Sequence, residues 1–337
     1  MTSRRARGRI ATLDSHGGTV YSVAFRPGST ILATGNANGT IQLWDFPRGR
    51  PFGQPLISPN SGIPAMTLGP DGNTLATGNT TGTIQLRDVR TGHLTRPPLT
   101  THNGDITAIA LSPDGKTLAT GNTSGNVQLR DVRTGHLTRS PLTTHNGDIA
   151  AIALSPDGKT LATGNGGGTV QLWGMGTGHP IGEAFTTGEV YSVAFSTDSK
   201  TLAIGYAYGT VQLWGVQSGR RTGRPLAALA VHALAFSRDG KTLATGSSQG
   251  NVQLWDVATQ QLITTLTSRA GAVYSLAFST DGKTLAVESP GHSVKLWQVP
   301  YLVHTEQYLC KLAGRPLTHT EWERYIPQGP AYEKLCA

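Results

Sequence analysis

The stretch TLATGNTTGTIQLRDVRTGHLTRPPLTTHNGDITAIALSPDGK, residues 74–116, aligns without a gap on TLATGNTSGNVQLRDVRTGHLTRSPLTTHNGDIAAIALSPDGK, residues 117–159. The two differ only at Thr81/Ser124, Thr83/Asn126, Ile84/Val127, Pro97/Ser140 and Thr107/Ala150, which is the mark of a duplication. A fixed step of this size signals a repeat architecture, and the frame extends both ways from the duplicated pair. An apolar hexamer recurs at 20–25, 63–68, 106–111, 149–154, 190–195, 231–236 and 273–278, giving seven units. Each unit continues with a turn such as Ser112-Pro113-Asp114-Gly115, a run like Lys-Thr-Leu-Ala-Thr-Gly, a second turn, and Val-Gln-Leu-Trp. Trp44, Trp173, Trp214, Trp255 and Trp297 mark that last position, and Arg87 and Arg130 replace Trp in the duplicated units.

Inside each unit the apolar runs are short, rich in β-branched residues and divided by Asp-Gly or other Gly-containing turns, the pattern of strands joined by hairpins. No helical period appears before residue 300. The first strand, Val20-Tyr21-Ser22-Val23-Ala24-Phe25 in the first unit, carries apolar or small groups on both faces, so each small sheet needs cover on both sides. Seven such sheets satisfy one another by stacking face to face, and closing the stack into a ring leaves no face bare. The expected fold is therefore all-β: a closed seven-bladed β-propeller over residues 1–299, followed by a short helical carboxy-terminal appendage over 300–337.

Proline identifies the outermost strand. Pro51, Pro55, Pro97, Pro98, Pro141, Pro180 and Pro225 all follow the Trp position, and a residue without an N–H is tolerated only at a sheet edge. The last unit loses the pattern after Leu296-Trp297 and so lacks a fourth strand. Residues 9–13 supply one, because Arg9-Ile10-Ala11-Thr12-Leu13 through Val20 matches Leu262-Ile263-Thr264-Thr265-Leu266 through Val273 at constant offset. The amino terminus is expected to complete blade seven and clasp the ring.

With 337 residues, the length alone suggests two domains, but a ring closed by its own amino terminus cannot be split at its midpoint. Charged residues make up only 14% and glycine supplies 43 positions, which seven sets of tight hairpins account for. No run approaches the roughly 18 apolar residues of a membrane helix, and Arg4 to Arg9 lead into no apolar signal core, so a soluble cytoplasmic protein without membrane contact is expected. Cys310 and Cys336 are too few for a disulfide framework, and reduced thiols are favoured over a local bridge.

The unit length, the four strands per unit and the terminal Trp-Asp resemble the WD40-repeat family, over about residues 9–299. The dipeptide itself stands at Trp44-Asp45 and Trp255-Asp256, and is varied to Arg87-Asp88, Arg130-Asp131, Trp173-Gly174, Trp214-Gly215 and Trp297-Gln298. Family blades often carry a hydrogen-bonded tetrad of loop His, strand Ser or Thr, turn Asp and Trp. Here the loop His is kept at His16, His102 and His145, whereas the turn Asp is replaced throughout, by Asn38, Thr81, Ser124, Gly167, Tyr208, Gln249 and Gly291. No blade can then build the whole network, so stability is expected mainly from apolar stacking and ring closure. Arg87 and Arg130 are expected to lay their aliphatic stems where the indole would pack, with the guanidinium reaching outward.

Beyond residue 300 the sequence reads as two short helices, one over Val303–Ala313 stopped by Gly314 and one opened by the capping box Thr318-His319-Thr320-Glu321 and halted by Pro327. With Gly314-Arg315, Leu317-Thr318, Glu321-Trp322, Tyr325 and Cys336 this tail resembles the ends of bacterial, notably actinobacterial, WD40 arrays attached to signalling ATPases or kinases. That resemblance implies a regulatory module, although the chain has no ATPase or kinase segment.

No catalytic signature emerges. Ten His among many Ser allow chance triads, yet none stands in a recognisable local pattern, and each loop His reads first as a turn-stabilising group. Gly164-Asn165-Gly166-Gly167-Gly168 opens no helix and is a hairpin turn, not a phosphate loop. His93, His136 and His179 are too far apart for a metal cluster, so no metal and no cofactor are expected. Small residues on the inner strands, Ala24, Ala110, Ala153, Ala194, Ala235 and Ala277, leave no acid or base at the channel. The chain is expected not to be an enzyme.

Surface remains. In the resembled family the turns between second and third strands, and those leading into each first strand, share the top face. The first-strand residue nearest that opening is Tyr21, Pro64, Thr107, Ala150, Tyr191, His232 and Tyr274 in blades one to seven, so four neighbouring blades present Tyr191, His232, Tyr274 and Tyr21 as an aromatic arc, with Tyr206 and Tyr208 in the adjacent turn of blade five. Asp105, Asp148 and Glu189 stand two residues earlier and make the rest of that face acidic. Aromatics with a polar tip are favoured as binding anchors. On the opposite face Arg48, Arg50, Arg90, Arg133, Arg220 and Arg221 concentrate the net charge of +8, expected as a solvated basic rim or a docking surface for an acidic segment in preference to nucleic acid, since no stacking group accompanies it. The expected function is a monomeric, non-catalytic interaction scaffold or sensor that binds a partner peptide or loop on its top face; a glycan- or small-ligand-binding propeller is the alternative, as is the regulatory module of a signalling ATPase or kinase.

Overall fold

A computed structural model describes residues 9–15, 18–58, 61–101, 104–143, 147–186, 188–228, 230–267, 271–289, 293–299 and 318. The expected helical tail, the loop residues His16, His102 and His145, and both cysteines lie outside the described residues. The short β-branched runs form seven antiparallel sheets. Six follow sequence order from the innermost strand outward: Val20–Phe25, Ala65–Leu68, Ile106–Leu111, Ile149–Leu154, Val190–Phe195 and Val231–Phe236 each open a sheet. The seventh runs Leu276–Phe278, Thr284–Ser289, Ser293–Gln298 and then Arg9–Asp14, so the amino terminus completes the last blade as its sequence offset required. The two ends are joined across the seam by the Val23 amide, which donates to Ser275 Oγ at 3.0 Å, and by a core shared between Leu13, Val294 and Leu296 on one side and Val20, Val23 and Phe46 on the other.

Two inner strands are shorter than the hexamers suggested, Ala65–Leu68 in blade two and Leu276–Phe278 in blade seven. Proline has the expected consequence at the rim. Pro51, Pro180 and Pro225 stand in outermost strands, and blades one to three manage only two-residue outer pairings at Arg50–Pro51, Leu56–Ile57, Leu99–Thr100 and Leu142–Thr143.

The blades press together through one repeated glycine. At the fifth residue of the second strand, Gly35, Gly78, Gly121, Gly164, Gly205 and Gly246 face the first residue of the next unit's apolar hexamer, Ile63, Ile106, Ile149, Val190, Val231 and Val273. A Cβ on Gly121 would stand 2.3 Å from Ile149 Cγ2 and 2.9 Å from Ile152 Cδ1, with no exposed side chain to give way. Gly121→Ala is therefore expected to cost about 1–3 kcal/mol, the usual penalty for overpacking a dense interior. A thermal melt within one degree of wild type would contradict this packing. The seventh blade departs from the rule: Glu288 occupies the glycine position, next to the seam with blade one.

Part of the family tetrad survives. The indole N–H donates to a second-strand threonine in Trp44–Thr34 at 3.1 Å, Trp173–Thr163 at 2.9 Å and Trp255–Thr245 at 3.3 Å. In blade five Ile204 replaces that threonine. The Trp214 N–H has no partner among the described residues, and the ring instead stacks on Phe185 with centroids 4.3 Å apart. The missing turn Asp is offset by the buried asparagine closing the second strand: Asn79 Oδ1 accepts the amides of Thr81 and Thr83, and Asn122 Oδ1 those of Ser124 and Asn126. Polar turn networks thus add to the apolar stacking on which stability was expected mainly to rest.

The guanidinium groups of Arg87 and Arg130 do not reach outward as expected. Arg87 donates to the carbonyls of Gly92 and Ile57, both at 2.9 Å, and Arg130 to Gly135 at 3.0 Å and Thr100 at 3.4 Å. Ile57 and Thr100 lie on the outermost strand of the preceding blade, so each arginine cross-links two blades where an indole would bond within one. Five hydrogen-bond donors in a planar fork, against a single N–H on Trp, explain the difference. Burial lowers the pKa of both guanidinium groups.

Candidate functional site

The register of the inner strands shows why one residue per blade stands out. In blade five Val190 pairs with Tyr206 and Ser192 with Gly205, so Tyr191 is an extra residue opposite the second strand. The same irregularity falls at Tyr21, Thr107, Ala150 and His232. A β-bulge re-aims the side chain it carries and strengthens the local twist. Repeated in five of the seven blades, it sets one side chain of each at the same end.

Three of these side chains, Tyr191, His232 and Tyr21, form an arc with Tyr274, which stands just before the short inner strand of blade seven. Tyr191 and His232 stack with centroids 4.5 Å apart and planes 11° from parallel. His232 and Tyr274 lie 5.3 Å apart at 59°, and Tyr274 and Tyr21 6.5 Å apart, edge to face at 82°. The arc is thus continuous through blades five, six, seven and one, crossing the seam of the ring. It stops there: Pro64 is half-buried, Ala150 offers only a methyl, and the Thr107 hydroxyl is engaged by the carbonyls of Gly121 and Ile149.

Tyr208 extends the arc in blade five. It is 83% exposed, and its ring stands over Gly188, where an added Cβ would meet Cδ2 at 3.3 Å. Tyr206 does not join it. Only 9% exposed, Tyr206 packs in the core with Val190, Leu202 and Trp214. The second strand is buried on both faces, and Tyr206 occupies the last position that buried Asn36, Asn79, Asn122 and Asn165 hold in other blades.

Glu189 belongs to the site electrostatically. Its carboxylate accepts a hydrogen bond from Tyr191, whose hydroxyl pKa is raised first by burial and then by the Glu189 charge. Burial lowers the pKa of His232, with Glu189 opposing, so the imidazole is neutral at neutral pH and the arc carries no cation. Asp105 and Asp148 are exposed at the same end, on blades three and four, outside the ring-to-ring chain. Their backbone is tied to the neighbouring turns, Thr123 N–H to the Asp105 carbonyl and Gly166 N–H to the Asp148 carbonyl, each at 3.1 Å.

One group at this end was not singled out from the sequence. Glu288 is fully buried; Oε2 accepts the Tyr274 amide at 2.8 Å, and Oε1 has no partner among the described residues. Burial pushes its carboxyl up to about 7, against the pull of the Tyr274 and Ser275 amides. The signal was a single letter, Glu in the column that holds Gly in the other six units. Among the described residues no three His, Cys, Asp or Glu side chains gather as a metal site, and no helix is long and apolar enough to cross a membrane.

Comparison with known families agrees with this architecture. The model described as the IFT122 first β-propeller matches residues 105–318, well over half of the chain, and the WD domain, G-beta repeat model matches residues 7–45. Eukaryotic translation initiation factor 3 subunit I of Pyricularia oryzae is 45% identical over 42 residues. That match covers 12% of this chain and 12% of the relative, so it speaks for a single repeat. Seven blades, six of four strands and one whose outer strand is split in two, a strand borrowed from the amino terminus and a family match across most of the ring make this chain a member of the WD40-repeat β-propeller family.

Proposed function

We propose that the protein is a non-catalytic interaction module that holds a partner peptide or loop against its top-face aromatic arc. The observation that carries this reading is the unbroken chain of rings from Tyr191 to Tyr21, with Tyr274 and Tyr21 still 47% and 37% exposed. Rings fixed on bulged strands at Tyr191, His232 and Tyr21, and at Tyr274 by its amide bond to Glu288, lose little freedom on binding, which is what makes rigid aromatic anchors effective. The relative's name makes it a subunit of a larger factor, and a scaffold role here is in keeping with that. The Arg-rich opposite end, with Arg90, Arg133 and Arg220, is a second surface suited to an acidic segment.

The test is calorimetry on the triple variant Tyr21→Ala, Tyr191→Ala, Tyr274→Ala with a partner of the wild-type protein. Anchors of this type are worth about 2 kcal/mol or more each, so affinity should fall at least a hundredfold while the melting curve stays cooperative. Undiminished binding would move the site off the arc.

A further inference from the structure

The chemistry of the arc narrows what can occupy it. The described turns at the top end, 36–40, 79–83, 101 and 104–105, 122–126, 147–148, 165–169, 188–189, 206–210 and 247–251, hold Asp105, Asp148 and Glu189 and no Lys or Arg; Arg269 lies outside the described residues. The rings add no positive charge, because burial keeps His232 neutral. Glu189 is the acidic group at the Tyr191–His232 end of the arc, half-buried and bonded to Tyr191, whereas Glu288 is fully buried behind the Tyr274 amide.

An occupant that covers the Tyr191–His232 stack also removes water from Glu189. A charge desolvated without a partner costs several kcal/mol, so an apolar segment would lose on the carboxylate what it gained on the rings, and an acidic one would add repulsion. A cation escapes both costs, because an ammonium or guanidinium within about 6 Å of an aromatic face is attracted by the ring and can pair with the adjacent carboxylate. Arginine is the better fit, being planar, stackable and more weakly hydrated than an ammonium.

Resting on the reading of the arc as a docking site, we propose that the partner enters it with a cationic side chain, arginine before lysine, laid against the rings of Tyr191, His232 and Tyr208 and paired with Glu189.

A random 12-residue peptide library displayed on phage, panned on the full-length protein and counter-selected on the Tyr191→Ala/Tyr274→Ala variant, tests this directly. The enriched peptides should share an Arg or Lys. Replacing that residue with citrulline, which keeps the shape and loses the charge, should weaken binding at least tenfold. Glu189→Gln should do the same to the parent peptide, and the two losses should not add. Enriched peptides without a basic residue, or binding that changes less than twofold on both substitutions, would overturn the cationic assignment while leaving the arc as a docking site. An empty selection would count against both. Because the citrulline exchange is made on the peptide, it stays informative even if Glu189→Gln disturbs the fold.

Discussion

Deletion of residues 1–14 is expected to lower the melting temperature of the whole ring in one cooperative step, by roughly 10 °C, without leaving six blades intact. The strand Arg9–Asp14 pairs along Ser293–Gln298 and places Leu13 in the core between blades seven and one, with its Cδ2 close to the Gly49 turn. Exposing one such leucine forfeits about 1.5–3 kcal/mol, and losing the ladder leaves Ser293–Gln298 a bare edge beside the seam. Each blade is covered on both faces only while the ring is closed, so the loss spreads through the nearest-neighbour interfaces and is not confined to blade seven. Leu13→Ala is the milder version, expected to cost about 2–5 kcal/mol. An unchanged melting curve for the deletion would mean that the ring does not depend on its clasp.

The second large effect is a pH dependence set by Glu288. Its carboxyl is pushed up to about 7 in the folded chain by burial, whereas an unfolded glutamate titrates near 4.3. Between those values the folded state keeps a proton that the unfolded state has lost, so stability falls as pH rises through that window and levels off above it. The difference amounts to about 3 kcal/mol at pH 8. Glu288→Gln keeps an oxygen for the Tyr274 amide and removes the charge. It is expected to raise the melting temperature by several degrees at pH 8, leave it nearly unchanged at pH 4, and flatten the slope between. A slope that persists in the variant would place the titrating group elsewhere.

Acid has an opposite effect through a different set of groups. The Ser112 hydroxyl and the Lys116 amide hold Asp114 below the usual carboxylate range, and Ser155 and Ser196 do the same for Asp157 and Asp198. The stability these turns contribute is present above about pH 4 and is lost as pH falls through their depressed values. Wild-type stability should therefore peak in mildly acidic solution, between the two ranges.

Much of this was legible in the letters because a repeat states each structural rule seven times. Column by column, the sequence placed every inner strand, the proline-bearing rim, the amino-terminal clasp and the four arc positions. What it hid were departures within single units. Arg87 and Arg130 were legible as replacements for Trp, but a guanidinium can donate in several directions, and only the packed neighbour decides that it crosses to the preceding blade. Tyr206 was placed with Tyr208 because both lie near one turn; Tyr206 ends the buried second strand, whereas Tyr208 stands in the turn beyond it and is left in solvent. The bulges at Tyr21, Tyr191 and His232 depend on register, which no single strand encodes. Glu288 could have been found, since TLAVES at 284–289 breaks the TLATGN column, but its meaning rests on what the absent glycine would have touched.

The most direct test of the arc as the docking face is site-specific photo-cross-linking. A benzophenone amino acid is placed at position 21, 274 or 208 at the top, or at 90 or 133 in the turns of the opposite end, in cells that express the protein. The same partner should be captured from the three top positions and not from 90 or 133, and capture from position 21 should disappear when Tyr191→Ala and Tyr274→Ala are introduced together. Adducts formed from 90 or 133 alone, or top adducts that survive that double substitution, would contradict a docking site on the aromatic arc.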